Sequence, residues 1–520
     1  MTEHSKPVIN PWLIAVSVML GTFMEVLDTT VVNVSLPHIA GDLSASTDEA
    51  TWVLTSYLVS NAIVLPLTGW LSNQFGRRNI LLMSVTGFTV FSFLCGIAPN
   101  LPMLIVFRIL QGATGGGLQP LSQAILMEAF PPEKRGKAMA FWALGIVVAP
   151  MIGPVIGGWI TDSYSWRWLF YINIPIGVAA VFMASMNIFD PPYIKRGKGG
   201  VDYWGIGLLA VGIGALQVML DKGQEEDWFQ SHFIVILMAA TVLGLGFFIA
   251  RELLTKYPVV HLSVFKVGTY STGVFLMTVL GFVLYGSTVL LPLWLQTLMG
   301  YSALEAGMAL LPRGLGSFLF MPLVGILVSK VDPRKLLASG LAICGFSLYL
   351  LSRLNLNAGY WDIFWPQFMQ GASMGLLFVP LTTITNDPIP KHEMGNATSL
   401  FNLMRNIGAS IGIASVTTLV ARHQQVHTNS MTAHVNTANP AAVASLAAAK
   451  NAMVASGADL ATATHQSYVM VFGMVQRHAA MQSYIDAFFA LAMLFVIVMP
   501  LVLIMKRPTK QGGGPENMGH

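Results

Sequence analysis

Charge is scarce in this sequence. Of 520 residues, 24 are acidic and 28 basic, together 10% of the chain, where a water-soluble domain carries about 25%. Water is therefore not the main solvent of this chain. The formal net charge is only +4 and no basic run is long enough to serve as a phosphate-binding arm, so nothing argues for a nucleic-acid partner. Cysteine is rarer still. Cys95 and Cys344 both lie in apolar stretches, which reads as buried small hydrophobes rather than a disulfide framework. Two catalytic signatures are also missing. There is no G-x-x-x-x-G-K-[ST] loop to bind ATP and no H-E-x-x-H; HEMGN at His392–Asn396 is neither of these. The expectation is a protein that is not an enzyme, with no cofactor, no metal and no catalytic residue.

What the chain has instead is apolar length. Hydrophobic residues make up 54% of it and the mean hydropathy is +0.64. Runs long enough to cross a bilayer, about 20 residues each, fall at 12–36, 51–71, 79–98, 102–126, 138–160, 168–189, 204–220, 232–250, 271–295, 304–329, 335–354, 361–386, 397–420 and 482–505. The first run is too long for a cleaved signal peptide, contains acids and lacks a small-x-small cleavage site, so it is read as a permanent span. Fourteen spans put both termini on one side. With that side cytoplasmic, nineteen of the 28 Lys and Arg fall inside, among them Lys6, Lys195, Arg196, Lys198, Lys506, Arg507 and Lys510; six fall outside, and Arg108, Arg313 and Arg405 lie within spans. That distribution follows the positive-inside rule.

The two halves repeat. Gln111-Gly112-Ala113 recurs as Gln370-Gly371-Ala372, Pro131 as Pro390, Gly136 as Gly395, Ala138 as Ala397 and Gly153 as Gly412, all 259 positions later, and GWLSNQFGRR (Gly69–Arg78) has a looser echo in GILVSKVDPRK (Gly325–Lys335). The implied organisation is an N-terminal six-helix bundle (1–190), a cytoplasmic linker with two inserted helices (191–267), a C-terminal six-helix bundle with a large outer loop at 421–481 (268–505), and a cytoplasmic tail (506–520). Two facing bundles with a mid-membrane site between them is a common transporter design.

Several motifs carry a family resemblance: LDTTVVNVSLP (Leu27–Pro37), GWLSNQFGRR, RILQGATGG (Arg108–Gly116), APMIGPVIGG (Ala149–Gly158), WRWLFYINIPIG (Trp166–Gly177) and LFNLMRNIGASIG (Leu400–Gly412). In this order they make the chain resemble a fourteen-span drug:proton antiporter of the major facilitator superfamily, closest to the EmrB-like branch. The resemblance implies an all-α polytopic major facilitator fold in a bacterial inner membrane. It implies proton-coupled multidrug efflux of hydrophobic or amphipathic compounds by alternating access. The expected partners are those small molecules, protons, the bilayer, a periplasmic membrane-fusion adaptor and an outer-membrane channel. Export of one anionic lipid-like compound, such as a fatty acid, is the alternative; a membrane-embedded enzyme is further off. In the loop Gly69, Asn73, Gly76, Arg77, Arg78, the superfamily's acid is replaced by Asn73, which puts any charge-based latch there in doubt.

The residues themselves point to coupling. Thr22, Glu25, Thr29 and Asn33 share a helical face, with Asp28 alongside, and acids inside a span face the bundle interior and mark function. Arg108 lies at a depth that suits pairing with Asp28. Glu25 is deeper, with no obvious partner, and an unpaired carboxylate there is expensive to keep charged, as a proton carrier requires. The family signature favours Asp28 as carrier and depth favours Glu25. In span five, Gly145, Ala149, Gly153 and Gly157 form a smooth ridge, and Pro150 and Pro154 should bend it into a hinge or seal. Asn33, Tyr57, Gln123, Trp142, Gln296, Arg313, Asn402 and Arg405 are candidate cavity residues. Loop 421–481 is the candidate adaptor surface. His423 and His427 have metal-binding spacing but no acid or cysteine nearby in the sequence, so they are not assigned as a site.

Overall fold

The computed structural model describes residues 10–190, 201–436 and 438–505. Lys6, the linker cations Lys195, Arg196 and Lys198, and the tail 506–520 lie outside them. Helices begin where the sequence offers caps. Asn10, Asn100 and Asp332 each accept a backbone N–H just ahead of a proline-led first turn, and Ser46 and Glu49 close a capping box. No strand occurs among the described residues.

Among the described residues, fourteen helices are long and apolar enough to span a membrane, and are numbered here in chain order: Pro11–Asn33, Asp48–Phe75, Arg77–Gly96, Leu101–Ala129, Pro132–Ser163, Trp168–Asn187, Tyr203–Lys222, His232–Leu254, Gly268–Leu298, Leu304–Leu327, Pro333–Leu351, Tyr360–Asn386, Lys391–Ala433 and Leu460–Ile504. Their packing repeats the internal symmetry of the sequence. Span one packs on five and six, two on four, and three on four; in the second half nine packs on thirteen and fourteen, ten on twelve, and eleven on twelve. The halves meet along two matching seams, five against ten and two against thirteen. Spans seven and eight form the inserted pair. Span seven leans on span two and also bonds to span thirteen, through Gln217 to Ser410 at 2.8 Å. Span twelve is 78% buried over its most apolar window and span eight only 22%, so the one is central and the other faces lipid. Exposed Trp159, Tyr164 and Trp168 at one face, and Tyr203 and Trp204 at the other, mark the two interfaces.

The segment expected as an outer loop at 421–481 is an arm of helix. Span thirteen continues as one helix from Met394 to Ala433 and span fourteen as one from Leu460 to Val498, with Pro440–Ala455 packed on the extension of the latter. Forty residues of helix reach about 60 Å, twice a hydrocarbon core of about 30 Å.

Candidate functional site

Span one enters the molecule between spans four, five and six, and close approach positions it. Span five presents Gly153 to Thr30 and Gly157 to the Val31 backbone, where an added Cβ would stand 2.8 Å from the Val31 carbonyl oxygen. The predicted ridge therefore seats span one. The same helix turns Met151 and Pro154 toward Gly314 and Gly307 of the second bundle, and it runs unbroken through Pro150 and Pro154. Gly145 lies over the Met19 thioether.

Held this way, span one buries Thr22, Glu25 and Asp28 completely or nearly so. The polar stripe does not stay buried beyond them. Thr29 is half-buried, and Asn33 is exposed at the helix end, about 12 Å along the axis from Glu25. Gln296 is likewise exposed near the end of span nine. Neither joins the central polar layer.

Asp28 is clamped. Its Oδ2 receives Arg108 Nη1 at 2.5 Å; its Oδ1 receives Gln111 Nε2 at 3.1 Å and Asn173 Nδ2 at 2.7 Å. Arg108 also donates to Gln111 Oε1 and to the Val53 carbonyl, and its guanidinium lies 4.2 Å from the Tyr57 ring centroid. Both charges are fully enclosed. Such a pair is weakly stabilising while whole and costly when halved.

Glu25 is held differently. It was expected to lack a partner, but its Oε1 accepts from Asn61 Nδ2 at 3.0 Å and Gln119 Nε2 at 3.2 Å. Both donors are neutral amides, and Oε2 has no hydrogen-bond partner. Gln119 continues the chain, because its Oε1 accepts from Arg405 Nη2 of span thirteen. An acid of the first bundle and a cation of the second are thus joined through one amide. Beside them Asn402 Nδ2 donates to Gln123 Oε1 at 2.6 Å, also across the seam. Buried polar atoms left without partners gather here: Glu25 Oε2, Tyr57 Oη, Gln123 Nε2, Asn402 Oδ1, and Arg405 Nε and Nη1. Buried polar groups are almost always paired, so this concentration is a feature of the site. Four of the predicted cavity residues, Tyr57, Gln123, Asn402 and Arg405, belong to it; Trp142 is fully buried on span five with its Nε1 unpartnered.

Arg313 does not. It sits inside the second bundle, donating to Gln367 Oε1 at 2.9 Å, Thr288 Oγ1 at 2.6 Å and Gln370 Oε1 at 2.7 Å. Sequence reasoning missed Asn61, Gln119 and Asn173 as site residues. Each is a lone amide in an apolar run, and the signal was the cost of burying it unpaired.

At the face carrying the Gly69–Arg78 loop, the bundles are clasped twice. Gly69 lies on Asn396, where a Cβ would be 2.7 Å from backbone atoms, and Gly325 lies on span five, 2.7 Å from the Ala140 Cβ by the same measure. Asn396 in turn exchanges two hydrogen bonds with the His261 backbone. Arg135 and Asp387 add an ion pair at 3.2 Å. Arg77 is buried against Glu128 of span four, and Arg78 donates its backbone N–H to Asp190 at 2.9 Å. Asn73 is half-buried. Gly76 adopts φ +91°, a left-handed conformation that excludes a side chain, with the Asp190 carboxylate against it.

The profile of the Major Facilitator Superfamily matches residues 18–413. The chain is 38% identical over 506 residues to the fatty acid resistance protein FarB of Neisseria gonorrhoeae, covering 96% of this chain and 97% of that one. It is 36% identical over 517 residues to the multidrug export protein EmrB of Escherichia coli (strain K12), covering 98% and 99%. Among solved structures, the human organic anion transporter MFSD10 superposes with a TM-score of 0.60 at 12% identity, over 96% of this chain and all of that one; at that identity the likeness speaks for the fold.

Proposed function

Since this chain belongs to the Major Facilitator Superfamily, in the branch of the EmrB multidrug export proteins, we propose that it is a proton-driven multidrug efflux antiporter of the bacterial inner membrane. It exports hydrophobic and amphipathic compounds by alternating access. The observation that carries this reading is the chain Glu25–Gln119–Arg405 across the seam between the bundles.

Glu25 is the proton carrier in this mechanism. Its Oε2 is unbonded and it stands at the moving interface, whereas Asp28 is locked by three donors within one bundle. An ionised Glu25 attracts Arg405 through Gln119 and favours a closed seam. Protonation removes that attraction, and the seam can part. Asp28 and Arg108 hold span one in register with span four. The unpartnered donors and acceptors around Gln123 and Asn402 provide adaptable hydrogen bonding for ligands of varied shape. In this reading both termini are cytoplasmic, which the Lys and Arg distribution supports. The helical arm then projects outside, where exposed Tyr468, Val469, Phe472 and Met474 offer an apolar surface to a periplasmic adaptor that leads to an outer-membrane channel.

A second reading follows from Arg405, whose Nε and Nη1 have no acceptor. An anionic amphipath such as a fatty acid would satisfy them. Reconstitution in proteoliposomes with an imposed pH gradient tests both readings. Gradient-driven uptake of several unrelated hydrophobic compounds supports the first, uptake confined to carboxylates supports the second, and transport indifferent to the gradient overturns the proton coupling.

A further inference from the structure

Beyond the central layer, the root of the arm brings together three groups that are far apart in sequence. His423 and His427 lie one turn apart on the extension of span thirteen, so their imidazoles share one helix face. Asp486 faces them from span fourteen. His423 Nδ1 is 2.7 Å and His427 Nε2 is 2.8 Å from the same oxygen, Asp486 Oδ2. The three ligand atoms all lie within 4.8 Å of one another, and the rings stand edge to face with centroids 6.0 Å apart. Arg422, the residue just before His423, is exposed and points about 100° around the helix, away from this cluster.

From this convergence we infer that His423 Nδ1, His427 Nε2 and the Asp486 carboxylate form a binding site for a divalent transition-metal ion of borderline softness, zinc first among them. Two imidazoles and one carboxylate are a donor set such ions prefer. Zinc takes nitrogen at about 2.0–2.1 Å and carboxylate oxygen at about 2.0–2.2 Å, so the ion fits between groups that already aim at one point. Small side-chain rotations bring the ligand atoms to tetrahedral spacing. Three protein ligands leave one position for water, and His423 is 44% exposed, which gives the ion a path from solution. The bound ion replaces two hydrogen bonds with three coordinate bonds and staples span thirteen to span fourteen where the arm leaves the bundle. None of these groups belongs to the Glu25 or Asp28 clusters.

The test uses the full-length chain without a polyhistidine tag, purified in detergent and stripped with chelator. Zinc chloride is titrated against a chromogenic zinc indicator, and the melting temperature is followed with and without the ion. We expect one zinc per chain and a zinc-dependent rise in melting temperature. His427→Ala and Asp486→Asn should each weaken binding by at least about 100-fold, since losing even a group behind a ligand costs about 10–100-fold. His465→Ala, on the far part of the arm, should change nothing. The melting temperature without zinc shows whether each variant is folded, and Asp486→Asn keeps an acceptor for both rings. A wild-type chain that takes up no zinc overturns the site, as does uptake unchanged in a folded Asp486→Asn protein.

Discussion

Ser287 occupies in the second bundle the place that Asp28 occupies in the first, 259 positions earlier. Gln111 donates to Asp28 Oδ1 at 3.1 Å, and its repeat partner Gln370 donates to Ser287 Oγ at 3.0 Å. The substitution is concerted, because Gln367 stands at the position equivalent to Arg108. One half carries a buried ion pair and the other carries its neutral counterpart on the same helical frame. The second bundle does enclose a cation, Arg313, but it comes from a different helix and is met by neutral oxygens.

That equivalence predicts a thermodynamic cycle. Asp28→Ser alone leaves Arg108 buried and uncompensated and should destabilise the protein by about 3–5 kcal/mol. Asp28→Ser with Arg108→Gln reproduces the second-half pattern and should recover most of the loss. Thermal unfolding in detergent measures both; a double variant no more stable than the single one contradicts the equivalence.

Glu25→Gln should uncouple the transporter and leave it folded. The amide retains hydrogen-bonding capacity toward Asn61 and Gln119, so the melting temperature should move little. Gradient-driven efflux should fall to the rate seen with no gradient, while substrate exchange at equal pH persists. Proteoliposome flux under the two conditions separates these. Undiminished gradient-driven efflux would transfer the carrier role to another group.

Gly69→Leu places a side chain where only backbone fits, against Asn396. The bundles should then be unable to close at this face, and the resting population should shift toward the state open there. Cysteine labelling from the cytoplasmic side, with a reporter at Ser399, should become faster than in the parent. Unchanged labelling would mean that the clasp is not a gate.

Replacing the Pro440–Ala455 helix by a short Gly/Ser linker should leave bundle stability unaltered, because that helix packs chiefly on the extension of span fourteen. Co-purification of a periplasmic adaptor should fall, because the helix that steadies the extension carrying Tyr468, Val469, Phe472 and Met474 is gone. Retained adaptor binding would mean that docking does not depend on that helix.

Much of the fold was legible because a bilayer permits few solutions. Spans need about 20 apolar residues, and their edges agree to within a few residues for most of the chain. The exceptions are span five, whose helix starts at Pro132 ahead of the apolar run, span thirteen, whose helix runs well past its run, and span fourteen, whose helix starts well before its run. Hydropathy reports solvent, and a polar helix such as His423–Ala433 leaves no mark in it. The Asp28–Arg108 pair was legible from depth alone, since a buried charge must find its opposite. The partners of Glu25 were not, because amides such as Asn61 and Gln119 sit in apolar runs for many reasons, and only the three-dimensional seam joins them. The same limit hid the acid beside His423 and His427, which lies about 60 residues away in sequence.

The length of span thirteen has a mechanical consequence. Arg405, at the seam, and Ala433, at the far end, belong to one uninterrupted helix, some 40 Å apart at about 1.5 Å per residue. As the bundles rock against each other in each cycle, the way repeat-built transporters do, that helix works as a lever and carries the motion to its tip. A partner seated on the arm would feel every turnover as a stroke.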